Sequence, residues 1–147
     1  MRAALAEARR AMAADEVPIG AVVALGGNIV GAAFNQPIST VDPTAHAEIG
    51  ALRMAARAVG NYRLTGATLC VTVEPCAMCV GAMVHARIGT LIYGAPEPKT
   101  GAVCSTMGLI GHPSWNHRVT VVAGLMAEES RELLHEFFKE KRKRKNE

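Results

Sequence analysis

Thr68-Leu69-Cys70-Val71-Thr72-Val73-Glu74-Pro75-Cys76-Ala77-Met78-Cys79 is the stretch on which a reading of the fold turns. Thr68 to Val73 alternates as a β-strand does. Pro75 breaks that strand, and Cys76 to Ala86 follows as a helix, with proline in the position that favours a helix start. The helix leads to a short strand at Leu91 to Tyr93. The loop Gly94 to Gly101 is punctuated by Pro96, Pro98 and two glycines, so it is expected on the surface.

The same alternation of strands and helices runs outward in both directions. Leu5, Ala8 and Met12 recur at helical spacing, so Arg2 to Ala14 reads as an amphipathic helix ending before Val17-Pro18. Ala21 to Leu25 and Ile29 to Phe34 form a hairpin around Gly26-Gly27-Asn28. Ala45 to Val59 is a helix stopped by Gly60, with Thr44 as its expected N-cap. Beyond the central stretch, Arg118 to Val122 reads as a strand and Ala127 to Lys141 as a closing helix. The latter has Glu128 and Glu129 at its start and basic residues at its end, an order that suits the helix dipole. No repeat or linker divides the chain, so residues 1–147 are expected to form one α/β sandwich domain.

The chain has 147 residues, half of them hydrophobic, enough for a core of its own. No apolar run reaches the roughly 18 residues that span a bilayer, and Arg2, Glu7, Arg9 and Arg10 do not suit a signal peptide. A cytoplasmic protein without membrane association is expected. The net charge of +3 is unevenly placed: residues 139–147 hold six basic and two acidic side chains. This basic C-terminal tail, with Lys141 to Lys145 at its centre, reads either as a phosphate-binding arm or as a solvated end.

Of four cysteines, Cys76 and Cys79 flank two residues at a helix start, where the dipole and free N–H groups favour thiolates. Alone they suit a redox pair, half of a structural zinc site or a catalytic one. Cys70 reads as a buried small hydrophobe and Cys104 as a bystander. His46-Ala47-Glu48 narrows the choice. His-x-Glu followed by Pro-Cys-x-x-Cys is the pattern of zinc-dependent base deaminases, matched here at every position. Residues two apart in mid-helix project about 200° from each other, but in a first turn both can point past the helix end. His46, Cys76 and Cys79 give zinc three ligands, leaving a fourth position for water, whose pKa zinc lowers toward about 7. Glu48 is the candidate proton shuttle.

Around this core the sequence resembles the bacterial tRNA-specific adenosine deaminases. The likeness is carried by Asp15 to Val22, Asn35, Asp42 to Glu48, Asn61-Tyr62-Arg63-Leu64, Thr72 to Cys79, His85 to Gly89, Lys99 to Ala102, Asn116 to Val119 and Phe137-Phe138. It implies a three-layer α/β/α sandwich of the cytidine-deaminase kind with a five-stranded mixed sheet. It also implies one zinc per subunit, a homodimer, and conversion of the wobble adenosine of a tRNA anticodon loop to inosine by hydroxide attack at C6. Asn35 and Ala47 are the implied base contacts, with Asn116 and Phe138 near the RNA. The apolar helix Cys76 to Val84 agrees with the homodimer, since a sheet covers only one of its sides. Phe137 and Phe138 share a face with Leu133 and Leu134, so at least one is expected in the core. Glu97 and Gly108 stand where the family usually has aspartate, and Trp115 occupies a variable position. Because the zinc motif also occurs in guanine, cytosine and cytidine deaminases, a free base or nucleoside is the alternative substrate. A non-catalytic zinc and RNA-binding subunit is the third reading, which Glu48 opposes.

Overall fold

The computed structural model describes residues 1–146. Its strands are β1 (Gly20–Leu25), β2 (Asn28–Phe34), β3 (Thr68–Val73), β4 (Thr90–Ala95) and β5 (Thr120–Ala123), ordered β2-β1-β3-β4-β5 in one sheet. β1 runs antiparallel to β2 and β3, whereas β3, β4 and β5 are parallel. The sheet is therefore mixed. Helices α1 (Arg2–Ala13) and α5 (Ala127–Lys145) pack on one face and touch each other. Helices α3 (Ala47–Val59) and α4 (Ala77–His85) form the other layer, and α2 (Pro37–Thr40) is a single turn. This is the expected α/β/α sandwich.

β3 shows why the sequence chooses this arrangement. Leu69, Val71, Val80, Met83 and Leu91 share one core cluster with α3 residues, while Cys70 joins Ala4 and Val22 on the opposite face. Leu69 to Val73 is buried throughout, so both faces of the central strand are covered, as for strands within α/β sheets. α1 places Ala4, Leu5, Ala8 and Ala11 against the sheet at helical spacing. Each large apolar side chain so enclosed contributes roughly 1.5–3 kcal/mol. Cys70 is buried and Cys104 exposed. No helix among the described residues is long and apolar enough to cross a membrane.

Several boundaries differ from the sequence expectation for identifiable reasons. The last strand begins at Thr120, after residues whose side chains are engaged elsewhere: His117 Nε2 bonds the Ile88 carbonyl at 2.7 Å and Arg118 Nη1 donates to that of His112 at 3.0 Å. The loop after β4 is only partly superficial. Gly94 and Ala95 belong to β4, and Gly101 is buried, although Pro96, Pro98, Lys99 and Thr100 are exposed. The basic segment is not a loose arm: α5 continues through Lys145, four residues beyond the expected end, and Glu147 lies outside the described residues. Two of its cations lie on Asp15 beyond the end of α1, Lys141 Nζ at 2.6 Å and Arg144 Nη1 at 2.9 Å.

Candidate active site

His46 is the N-cap of α3 and Cys76 the N-cap of α4, each in an extended conformation (φ −76°, ψ 153° and φ −77°, ψ 174°). Thr44 is not the cap that the sequence suggests. Asp42 accepts hydrogen bonds from the Thr44 N–H at 2.8 Å and its hydroxyl at 2.7 Å, engaging that side chain two residues too early. His46 therefore stands just outside the helix, with Ala47 and Glu48 as its first two residues. Cys79 lies in the first turn of α4. Two positive helix ends converge here, beside the end of β3.

Nδ1 of His46 lies 3.5 Å from the Cys76 sulfur and 3.6 Å from the Cys79 sulfur, and the three donor atoms are within 4.8 Å of one another. Zinc–nitrogen and zinc–sulfur bonds of about 2.0 and 2.3 Å at a tetrahedral angle put nitrogen and sulfur about 3.5 Å apart. The residues thus fit a metal ion of this kind, and two thiols with one imidazole are a donor set for a soft or borderline cation. Their charges are already biased. The Cys79 thiol and the His46 ring favour a thiolate on Cys76, bringing its pKa down to about 4 against the effect of burial. Cys76 in turn raises that of His46, outweighing burial. The Cys79 thiol is pushed up by the neighbouring Cys76 and by burial.

Glu48 is 4 % exposed. Burial pushes its carboxyl up to about 7, while its own backbone N–H and the His46 ring pull the other way. A carboxyl poised there can hold or release a proton near neutral pH, which is the requirement for general acid–base work. The pocket beside it has a volume of about 190 Å³, with apolar walls from Val17, Ile19, Pro37 and Val73 and polar groups from Asn35, Glu74, Glu97 and Thr100. Asn35 is buried, and its Nδ2 donates to the Val17 carbonyl at 3.4 Å. Glu74 is buried too. Burial alone would raise its carboxyl, but the Ser105 hydroxyl and the N–H groups of Ser105, Cys104 and Glu97 overcome this and hold it below the ordinary glutamate range.

His46, Glu48, Cys76 and Asn35 meet at this pocket, with Cys79 behind them. Three other residues singled out from sequence lie apart from its lining. Ala47 is fully buried in the core cluster. Asn116 is exposed and accepts from Arg87 Nη1 at 3.0 Å. Phe138 is 43 % exposed on α5, edge-on to Phe137, which is the core member of the pair. Trp115 is half-buried, its indole N–H bonded to the Leu109 carbonyl at 2.8 Å. The pocket roles of Pro37, Glu74 and Thr100 were not foreseen. For Glu74 a signal existed: a charged residue between a buried strand and a proline needs partners.

The sequence profile of the MafB19-like deaminase family matches residues 1–142. The tRNA-specific adenosine deaminase of Agrobacterium fabrum is 49 % identical over 142 residues, covering 97 % of this chain and 93 % of that one. A solved structure from work on A-to-I editing by tRNA:A34 deaminases superposes with a TM-score of 0.89 at 48 % identity, covering 91 % and 97 % of the two chains. The guanine deaminase of Nitrosomonas europaea shares the fold at a greater distance, with a TM-score of 0.75 and 26 % identity over 91 % of this chain and 80 % of that one. Almost half identity over nearly the full length of both chains separates the first two from the third. This chain belongs to the MafB19-like deaminases and, among them, to the tRNA-specific adenosine deaminases.

Proposed function

We propose that the protein hydrolyses the wobble adenosine of a tRNA anticodon loop to inosine, releasing ammonia, with His46, Cys76 and Cys79 holding one zinc ion per subunit and Glu48 moving the protons. The observation that carries this reading is the buried carboxyl of Glu48 at the same pocket as a His-Cys-Cys donor set of tetrahedral dimensions. Zinc bound there supplies the Lewis acidity that makes water a nucleophile at neutral pH. Glu48 takes a proton from the attacking water and passes it to the ring nitrogen, then moves the remaining proton of the added hydroxyl to the departing amine. Val17, Ile19 and Val73 exclude water and grip the flat base, while Asn35 orients its edge. An anticodon loop suits such a recess, because a loop base can be splayed out without breaking a duplex.

The working unit in this reading is the single domain 1–147, acting in the cytoplasm where its tRNA substrate is found. Ala47, at the first helical position between His46 and Glu48, meets the base through its backbone, its side chain being buried in the core. Asn116 and Phe138 serve RNA contacts outside the pocket, consistent with their exposure. A homodimer is supported by a mainly apolar groove between α3 and α4, formed by Ile49, Leu52, Ala56, Tyr62, Ala82 and Ala86 with Arg53 and His85 also in its lining.

Glu48→Ala tests the assignment. It should keep zinc and fold but lose inosine formation by roughly 10²–10⁴-fold, the range for a general acid–base group. Inosine is read by sequencing the tRNA for adenosine that appears as guanosine, and undiminished conversion would rule out the proton shuttle. Offering free adenosine, cytidine and guanine alongside tRNA separates the readings: ammonia released only from the small molecules would replace tRNA editing with the free-substrate alternative.

A further inference from the structure

We infer that Glu74 is a positioning residue of this active site, its buried carboxylate fixing the pocket wall at Glu97–Thr100 relative to Cys76 and thereby setting how well the substrate is held. The inference deepens the deaminase reading above and rests on it for its kinetic arm. Glu74 is 4 % exposed, directly after β3 and two residues before Cys76. Its Oε1 accepts the Glu97 N–H at 3.2 Å and the Ser105 hydroxyl. Its Oε2 accepts three successive N–H groups, from Val103 at 3.2 Å, Cys104 at 2.9 Å and Ser105 at 3.0 Å. One side chain therefore gathers both ends of the loop that contributes Glu97 and Thr100 to the pocket.

The backbone around this anchor is tied to the same loop. Glu74 N–H donates to the Ala95 carbonyl at 2.8 Å, and Ala102 N–H donates to the Pro75 carbonyl at 2.8 Å. Between them the chain passes so close to the carboxylate that only glycine fits: a Cβ on Gly101 would stand 2.5 Å from Glu74 Cδ and 2.5 Å from the Glu97 carbonyl oxygen. The strand-to-helix connection that delivers Cys76 and the wall opposite it thus share one attachment point. A five-donor buried anion is a demanding feature in a core, since losing part of its set leaves charge unpaired. Its placement makes sense where a loop has to be held within a fraction of an ångström of a reacting centre.

The two oxygens have different duties, which makes the inference separable from a general structural role. In Glu74→Gln, the amide oxygen can take the place of Oε2 and keep the three bonds to residues 103–105. The amide nitrogen then faces the Glu97 N–H, donor against donor, while the Ser105 hydroxyl can turn to accept. The substitution releases the wall and spares the rest.

The experiment compares zinc-loaded wild-type and Glu74→Gln proteins on anticodon-loop tRNA and under limited trypsin digestion without substrate. The expected result is unchanged zinc per chain and a KM for tRNA raised about tenfold, the loss of one charge-assisted hydrogen bond. kcat should fall less than about threefold. Cleavage after the exposed Lys99 should speed up several-fold relative to cleavage after Arg57 in α3. Gly101→Ala, whose methyl group would press the wall and the Glu74 carboxylate apart while leaving every donor and acceptor in place, should shift KM and Lys99 cleavage in the same direction, and it carries the test if Glu74→Gln does not fold. Wild-type KM together with wild-type Lys99 cleavage in both variants would overturn the inference, as would selective loss of zinc. Absence of wild-type activity on tRNA would instead refute the substrate reading and leave Lys99 cleavage to decide the role of Glu74.

Discussion

Asp15 adopts a left-handed conformation, φ 60°, that aspartate tolerates better than most residues, and this turns its carboxylate toward the end of α5. A hydrogen bond from Lys141, helped by its charge and by Arg144, holds the Asp15 carboxyl below its usual value of 3.8 against the opposing effect of desolvation. A depressed folded-state pKa means that the contact stabilises above the unfolded value and is lost as pH falls through the folded one. Hydrogen exchange at the amides of 141–145 should therefore accelerate as pH drops below about 3.8 after correction for intrinsic rates, and Asp15→Asn should show the faster exchange at neutral pH as well; a flat profile would remove the contact from consideration. At this scale, legibility follows sequence distance. His46 with Glu48 and Cys76 with Cys79 are short spacings that, taken together, spell chemistry. The Asp15–Lys141 pair, 126 residues apart, is invisible to charge counting because charge carries no address. Glu74 is hidden for the same reason, its donors lying up to 31 residues away.

Among the elements, the helices and inner strands are legible because their apolar periodicities match the cores they enter, as Ala4, Leu5, Ala8 and Ala11 do in α1. Their ends are less so, since caps are decided by competition among neighbours: Asp42 outbids the helix for Thr44, and His46 becomes the cap. α2 and the 3₁₀ turn Leu109–Gly111 are too short to show any period. α4 stands out for its lack of a polar face. Cys79, Val80, Met83 and Val84 are buried, yet Met78 remains 37 % exposed and Ala82 lines the groove beside α3. If a second copy covers that face, the zinc-loaded protein sediments as a dimer and Ala82→Glu as a folded monomer, because a carboxylate is costly to bury without a partner. A wild-type monomer at micromolar concentration would reject the dimer.

For the molecule as a whole, the mixed sheet brings two distant helix starts to one place. β1 and β2 set the antiparallel half, β3 to β5 the parallel half, and His46, Cys76 and Cys79 gather where β3 gives way to α4. The mixed character of the sheet follows from resemblance and its strand order from neither resemblance nor residue patterns, since alternation identifies a strand without naming its neighbours. The geometry at the two helix caps has a mechanical consequence. An ion joining His46 to Cys76 ties together residues 30 apart, closing a ring that contains all of α3 and β3. By the chain-entropy argument used for disulfides, a cross-link of that span stabilises the folded state by about 3–4 kcal/mol, in addition to the bond energies themselves. For a domain of this size that corresponds to a fall in Tm of roughly 10 °C when a chelator strips the metal, measurable by calorimetry. The same three side chains would then serve as a molecular rivet, so that catalytic competence and resistance to unfolding rise and fall together with metal supply.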